Sequence, residues 1–361
     1  MQLTARPWII TGVALVGVSA VSPTPMAAAL PDAQMRAVQL TSFDPNNWTD
    51  VLQLASANAT DVYDHWSPAP APALQQFLVN QVGFLEEVLK DPSKISDIPT
   101  QIQDNLSAAQ NAAVVPFEPP NPEPYIYPSL DTTPSEISIS ALGIHLFDID
   151  LPGKADLLNI LTNGLNFTIG ICPLCTNVDI PVLQLLLGDT LASQVEPYLN
   201  FSGSPLSGVL WGDIGTTLSP VLQINDDVTG IVDALSGSNP DYTTAFDDLL
   251  NMPANVTNAF LNGYGDVNFD ALLTEFGISV PSSSSTLDVD LGGLLSPAGS
   301  LINALGFTDT LGDCSIGCAT LDVPTSAVGP LASMVELSQA IAEAIGWSGV
   351  GNPLDALASL F

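Results

Sequence analysis

Cations are what this chain has least of. Lys and Arg together number 5 against 38 Asp and Glu, a formal charge of −33 over 361 residues. Nucleic-acid binding neutralises phosphates with many cations, so that class of partner is excluded. Charge of either sign is sparse: 12% of residues are charged, 46% are hydrophobic, and mean hydropathy is +0.34. Acidic disordered chains carry far less apolar content, which excludes disorder as the general state. Histidine numbers 2, His65 and His145, and both read as structural. Serine is abundant, but no nucleophile-elbow motif accompanies it, so no Ser-His-Asp arrangement can be placed and no enzyme is expected. Long apolar runs are missing as well. The longest, Trp8 to Val21, spans about 14 residues against the ~20 that a membrane-crossing helix needs. Gly, Pro or Asp interrupts every later run.

What is present begins with a secretory-type leader, Met1 to Ala29. Arg6 and the amino terminus form its positive end, Trp8 to Val21 its apolar run, and Ala27-Ala28-Ala29 its small-residue cleavage site. Export is therefore expected, without a conventional transmembrane helix. An apolar chain whose few charges are nearly all negative suits contact with lipid or a partner, with repulsion keeping it dispersed. An acidic globular secreted protein is the plainer alternative.

Residues 30–115 predict helices. Asn46, Asn47 or Thr49 can cap one in which Val51, Leu52, Ala55, Ala59, Val62 and Trp66 share a side. Pro68, Pro70 and Pro72 break it. A second carries Leu74, Phe77, Leu78, Val82, Leu85 and Leu89 at three- and four-residue spacing, and a third runs from Ile98 to Ala113. The stripes fit a small bundle, or faces that dock on lipid or a partner. Seven prolines between Pro116 and Pro134 then make residues 116–136 an extended linker, or a peptide read by a partner.

From 137 to 361 the pattern turns α+β. Ile137 to Ser140 and Ile144 to Leu151 alternate apolar and polar, with a slip at Leu146–Phe147 that suggests a bulge. Phe167, Ile169 and Ile171 alternate, as do Leu287, Val289 and Leu291. Helices are expected at Leu183–Tyr198, Tyr242–Met252, Asn268–Phe276 and Pro330–Trp347. The fold class is thus α+β, mainly α-helical: a helical bundle, then short antiparallel strands with helices. A single-chain membrane barrel needs at least ~8 long strands and is not expected.

The stretch from Ser204 to Gly263 is dense in punctuation. Pro205, Pro220, Pro240 and Pro253 each open a segment, and Pro253 to Gly263 reads as a compact helix with proline first and glycine just past its end. Several short amphipathic helices joined by tight turns are predicted.

The four cysteines fall in two similar phrases, CPLCTNVDIP from Cys172 and CSIGCATLDVP from Cys314. LLNILTNG from Leu157 and SLINALG from Ser300 precede them, suggesting a duplicated helix–hairpin unit near 155–182 and 298–325. In an exported chain an even cysteine count favours disulfides. Local pairs, Cys172–Cys175 and Cys314–Cys318, keep each copy self-contained. A zinc site would want ribbon-like spacing, and a redox-active Cys172-Pro173-Leu174-Cys175 would want a nearby cation. Lys154 is the nearest in sequence, and no Lys or Arg follows it. Asp266, Asn268 and Asp270 alternate like a calcium loop, but Ala271 and Gly277 stand where the turn glycine and the bidentate glutamate belong. The pairs Asp226–Asp227 and Asp247–Asp248 read as solvated helix faces. No metal, cofactor or catalytic residue is assigned.

LSGVLWGDIG, LSP and NMPANVTNAFLNG are similar to segments of mycobacterial secreted proteins known as outer-membrane porins of the GjpA type. So are RPWIITGVALVGVSAV, PDAQMRAVQLTS, GGLLSPAGSLINALG and AEAIGW. These phrases occur in order over most of the chain, leaving out the Pro-rich stretch. The resemblance implies an exported envelope protein of outer-membrane porin type, meeting lipid or envelope components, with a homo-oligomer if it forms a pore. It transfers no pore-lining or catalytic residue.

Overall fold

The computed structural model describes residues 47–119, 124–141, 144–169, 176–236, 238–268, 285–314 and 316–359. The leader, Cys172, Cys175 and the segment around Asp270 lie outside the described residues. The chain is α+β and mainly helical, with an open antiparallel sheet and, among the described residues, no barrel. Helices α1 (Asn47–Trp66), α2 (Pro72–Lys90) and α3 (Ile98–Val114) come first. The hairpin β1 (Pro134–Ala141) and β2 (Ile144–Gly153) follows, then α4 (Lys154–Asn163) and a separate two-stranded ribbon, β3 (Leu165–Ile169) with β4 (Thr176–Ile180). Next are α5 (Val182–Leu187), α6 (Asp189–Ser202), and two long helices, α7 (Pro205–Leu235) and α8 (Tyr242–Asn262). The chain then returns to the sheet through β5 (Gly265–Asn268), β6 (Ser285–Leu291), β7 (Leu305–Asp313) and β8 (Gly317–Val323), followed by α9 (Pro330–Ala344) and a 3₁₀ helix at Pro353–Ser359.

The sheet order is β2-β1-β8-β7-β6-β5, antiparallel throughout. The last four strands form a meander, and the β1–β2 hairpin adds to its β8 edge. Ile139 pairs with Phe147 and Ser140 with His145, so Leu146 is the extra residue of a bulge, where the alternation slips in the sequence. Each of the two similar phrases follows a helical segment: α4 leads into β3–β4, and a single turn at Leu301–Ala304 leads into β7–β8. Cys314 and Cys318 are joined by a disulfide.

Three expectations change. The region 204–263 is two long helices, not several short ones. Pro220 lies inside α7, and Pro253 lies inside α8 instead of opening a helix. Interior proline removes one backbone donor and usually breaks a helix; here the packing described below holds both helices through it. The predicted helix at Leu183–Tyr198 is two, divided at Gly188, whose φ of 75° favours glycine. The Pro-rich stretch is no free spacer in its described part. Phe117, Ile126, Tyr127 and Leu130 are buried, and Gln339 of α9 ties it down by accepting from Tyr127 N at 3.1 Å and donating to Tyr125 O at 2.8 Å.

Apolar cores exist but are small. Val289, Ala304 and Val328 form one beneath the sheet, with Trp211, Val267 and Leu305 against it. Ala69, Phe117, Ile126, Ala340, Ala342 and Trp347 form another around α9. That helix packs against α1, α2, α3 and α7.

Candidate functional site

The helices are built inside out. On α7 the buried residues are mostly small or polar, Gly208, Gly212, Gly215, Ser219 and Asp227 among them, with Val209 the one buried large aliphatic. Its large aliphatics lie on the other side. Leu210, Ile214, Leu218, Val221, Ile224, Val228, Val232 and Leu235 are all 38–55% exposed. At 100° per residue these eight fall within an arc of about 120°, opposite the glycine face. α8 repeats the pattern, with Ala245, Asp248, Asn251, Ala254 and Ala259 inward, and Tyr242, Phe246, Leu249 and Phe260 exposed. On α2 the stripe expected to seat a bundle points outward, since Leu74, Phe77, Leu78, Leu85 and Leu89 are exposed while Gln76 is buried. On α1 Val51 and Ala55 are buried, but Leu52 and Trp66 are not.

The glycines explain how α7 can sit this way. A Cβ on Gly212 would lie 2.5 Å from Pro330 N, and one on Gly215 would lie 2.7 Å from Gly292 O. A Cβ on Gly208 would overlap the Gly299 carbonyl oxygen. Backbone therefore meets backbone, which larger side chains would prevent. Ser204 caps α7 by accepting from Ser207 N at 3.3 Å, and Pro205 takes the first position, where a missing N–H costs nothing. Ser219 Oγ donates to Leu291 O at 3.1 Å. Asp241 caps α8, accepting from Thr243 N and Thr244 N.

Carboxyls occupy the interior in place of aliphatics. Asp227 is 1% exposed; its Oδ1 accepts from Gln223 at 3.0 Å and Asn255 at 3.0 Å, while Oδ2 has no hydrogen-bond partner among the described residues. Burial raises its pKa, and Asp226 and Asp248 add to the shift. Burial likewise raises Asp226, which accepts from Tyr264 Oη, and Asp248. The pairs read from sequence as solvated faces are thus divided: Asp227 and Asp248 point inward. On α9, Glu336 is 0% exposed and neither carboxyl oxygen has a partner among the described residues. Burial lifts its pKa well above the ordinary value; the Gly299 N–H opposes this without reaching hydrogen-bond geometry. Glu343, two turns on, is raised to about 7 by burial. Burial thus favours the protonated form of each of these groups.

Among the described residues the one buried cation is Lys154 at the start of α4. Its Nζ donates to Asn303 O and Leu305 O, both at 2.7 Å. Burial lowers its pKa to about 8, against the pull of Asp131, Asp290 and Asp266. Asp290 is raised to about 6 by burial and by Asp266, with Lys154 opposing. Lys154 also lines an apolar cavity of about 210 Å³ with Leu157, Leu161, Leu199 and Phe307 among its walls. Two of its three N–H donors thus join α4 to β7 and the turn before it; Cys172 lies outside the described residues.

His65 stacks on Tyr127, ring centroids 3.7 Å apart, and Tyr127 Oη donates to Asp61 at 2.7 Å. His145 is exposed on β2, 3.2 Å from Asp148 Oδ2. Asp266 lies on β5 and accepts from Thr325 Oγ1. Asp266, Asp288 and Asp322 line a polar hollow of about 320 Å³. Among the described residues no group of three or more His, Cys, Asp or Glu is arranged to hold a metal ion. Glu336, Lys154 and the outward turn of the stripes escape a reading of apolar periodicity alone. The spacing of Gly208, Gly212, Gly215 and Ser219 is the signal that marks the buried face.

No protein-family model, curated protein or solved structure matches the chain.

Proposed function

We propose that this is an exported cell-envelope protein of the outer-membrane porin-like kind, working against lipid as an assembly of copies. The observation that carries the reading is the inversion of the helices: small residues and buried carboxyls inward, large aliphatics outward. Proteins in water bury their aliphatics. Proteins surrounded by lipid tails gain nothing by that, and use small residues where helices meet. The ordered resemblance to mycobacterial porins of the GjpA type supports the same setting. Among the described residues no helix is long and apolar enough to cross a membrane, and the sheet of one copy is open. Solute passage therefore requires several copies.

An aqueous path through such an assembly is lined beyond Lys154 by carboxylates and neutral groups, since no Lys or Arg follows it. Carboxylate rings attract cations. Planar bilayers holding the purified protein under a KCl gradient test this, and a reversal potential on the K⁺ side is expected. Anion selectivity contradicts the charge argument. A folded protein that never conducts moves the reading to an envelope interaction protein without a pore, which the open sheet, with its edge strands β2 and β5, favours.

A further inference from the structure

We propose that the outward stripe of α7 is a lipid-docking surface that lies in the plane of a neutral membrane, its aliphatics in the boundary between headgroups and acyl chains. The inference rests on the lipid-facing reading above and names the element that makes the contact.

The stripe is continuous over the helix. Ile214, Val221, Val228 and Leu235 recur at seven-residue steps, with Leu218 and Val232 between them, all exposed. From Leu210 to Leu235 that is about 37 Å of helix at ~1.5 Å per residue. This length is not a crossing segment, because Asp213, Asp226, Asp227 and Asp233 interrupt it. A long helix with one aliphatic face and one face held by the protein fits the in-plane mode, in which the apolar side sinks roughly 5–10 Å.

Two observations select lipid over a second copy of the chain. The first is extent. Roughly forty large apolar side chains are exposed, on α1, α2, α3, α7, α8 and beyond, where a standard interface uses ~20–30 residues a side in one patch. The second is charge. α7 and α8 carry Asp213, Asp233 and Asp247 outside their buried faces and no Lys or Arg. A second copy brings the same uncompensated carboxylates, and so does an anionic membrane. A zwitterionic surface does not.

The test is flotation of the full chain with phosphatidylcholine vesicles, against a Val228→Asp/Val232→Asp variant. Both positions face outward, so the variant keeps its fold, which circular dichroism and urea unfolding check. Wild type should float, the variant should partition at least tenfold less, and amides of 210–235 should gain hydrogen-exchange protection on adding vesicles. Phosphatidylglycerol vesicles should bind more weakly, with the gap narrowing at high salt. Wild type that stays unbound, or a variant that floats equally well, overturns the proposal. So does a concentration-dependent dimer in sedimentation that the variant loses without any vesicle binding. Should the variant itself misfold, the protection pattern on wild type decides: protection elsewhere than 210–235 overturns the assignment. Vesicle binding without conductance leaves this inference standing and removes the porin-like reading; conductance by a wild type whose 210–235 amides gain no protection from vesicles does the reverse.

Discussion

The two halves of α7 are held by different means. From Pro205 to Ser219 the helix is seated on backbone, with glycines against the 292–299 loop and the start of α9. From Val221 to Leu235 the one buried residue is Asp227, held by Gln223 and Asn255. Close backbone contact fixes position with little aliphatic burial. A hydrogen-bonded acid fixes register and adds little net stability, about 0.5–1.5 kcal/mol per bond. The first half is an anchor, and the second is aligned without being clamped. The same outward stripe runs over both. The interior therefore specifies geometry, and the aliphatic surface is left for whatever surrounds the protein.

The largest effect should come from breaking the anchor. Gly212→Leu places a Cβ 2.5 Å from Pro330 N, between two backbones that cannot turn aside. Overpacking normally costs about 1–3 kcal/mol, more where nothing can relax, so at least ~3 kcal/mol is expected here. Urea unfolding followed by circular dichroism reads it. Thr217→Ala, exposed on the same half, should shift stability by no more than about 0.5 kcal/mol. A Gly212→Leu protein as stable as wild type would show that the glycine face is not the anchor.

The anchor also depends on pH. Gly299 meets Gly208 on one side and Glu336 on the other. Glu336 and Glu343 have folded-state pKa values above the ordinary 4.5. The folded chain thus keeps protons that the unfolded chain releases, and stability falls as pH rises from about 4.5. The Glu343 part of the fall ends near pH 7, and Glu336 adds a fall in the same direction. The urea midpoint should drop between pH 5 and pH 8, and Glu336→Gln should make that fall shallower. A midpoint that climbs over this range would mean that the buried carboxyls are ionised and paired.

In the aligned half, Asp227→Ala leaves Gln223 and Asn255 without their acceptor and should cost about 1–3 kcal/mol. Asp227→Asn keeps an oxygen acceptor and, since burial already favours the neutral acid, should cost less than about 1 kcal/mol. Equal losses would show that the charge, not the hydrogen-bond geometry, is what the position needs.

What the sequence disclosed depends on which physical rule governs each element. Alternation in β1 and β2 located a bulge at Leu146 because side-chain direction in a strand follows the pleat whatever surrounds it. The repeated cysteine phrases pointed to local bridges, and the Cys314–Cys318 one is what the fold contains. The fold class was readable for the same local reasons. Pro220 and Pro253 misled because tertiary packing overrides a local helix breaker. The stripes on α2 and α7 were visible, but their direction was not. Periodicity states that a helix has an apolar face and is silent on whether protein or another medium meets it. The burial of Glu336 and Lys154 depends on residues over a hundred positions away, which no local pattern carries.

The smallest expected effect is the most telling for the comparison. Val228 and Val232 are 46% and 54% exposed in the aligned half, whereas Val209 in the anchor is 8% exposed. Polar replacement of an exposed valine leaves no cavity and strands no buried group, so Val228→Thr and Val232→Thr should each shift stability in water by no more than about 0.5 kcal/mol. Val209→Ala removes buried methyl groups beside the backbone contacts and should cost about 1–2 kcal/mol. Urea midpoints of the three variants measure the contrast directly. If the outward valines prove as costly as Val209, they are covered within the protein in solution, and α7 is held alike along its whole length. If they are silent in water, the protein spends no folding stability on that face. The stripe then has its effect only where something outside the chain meets it.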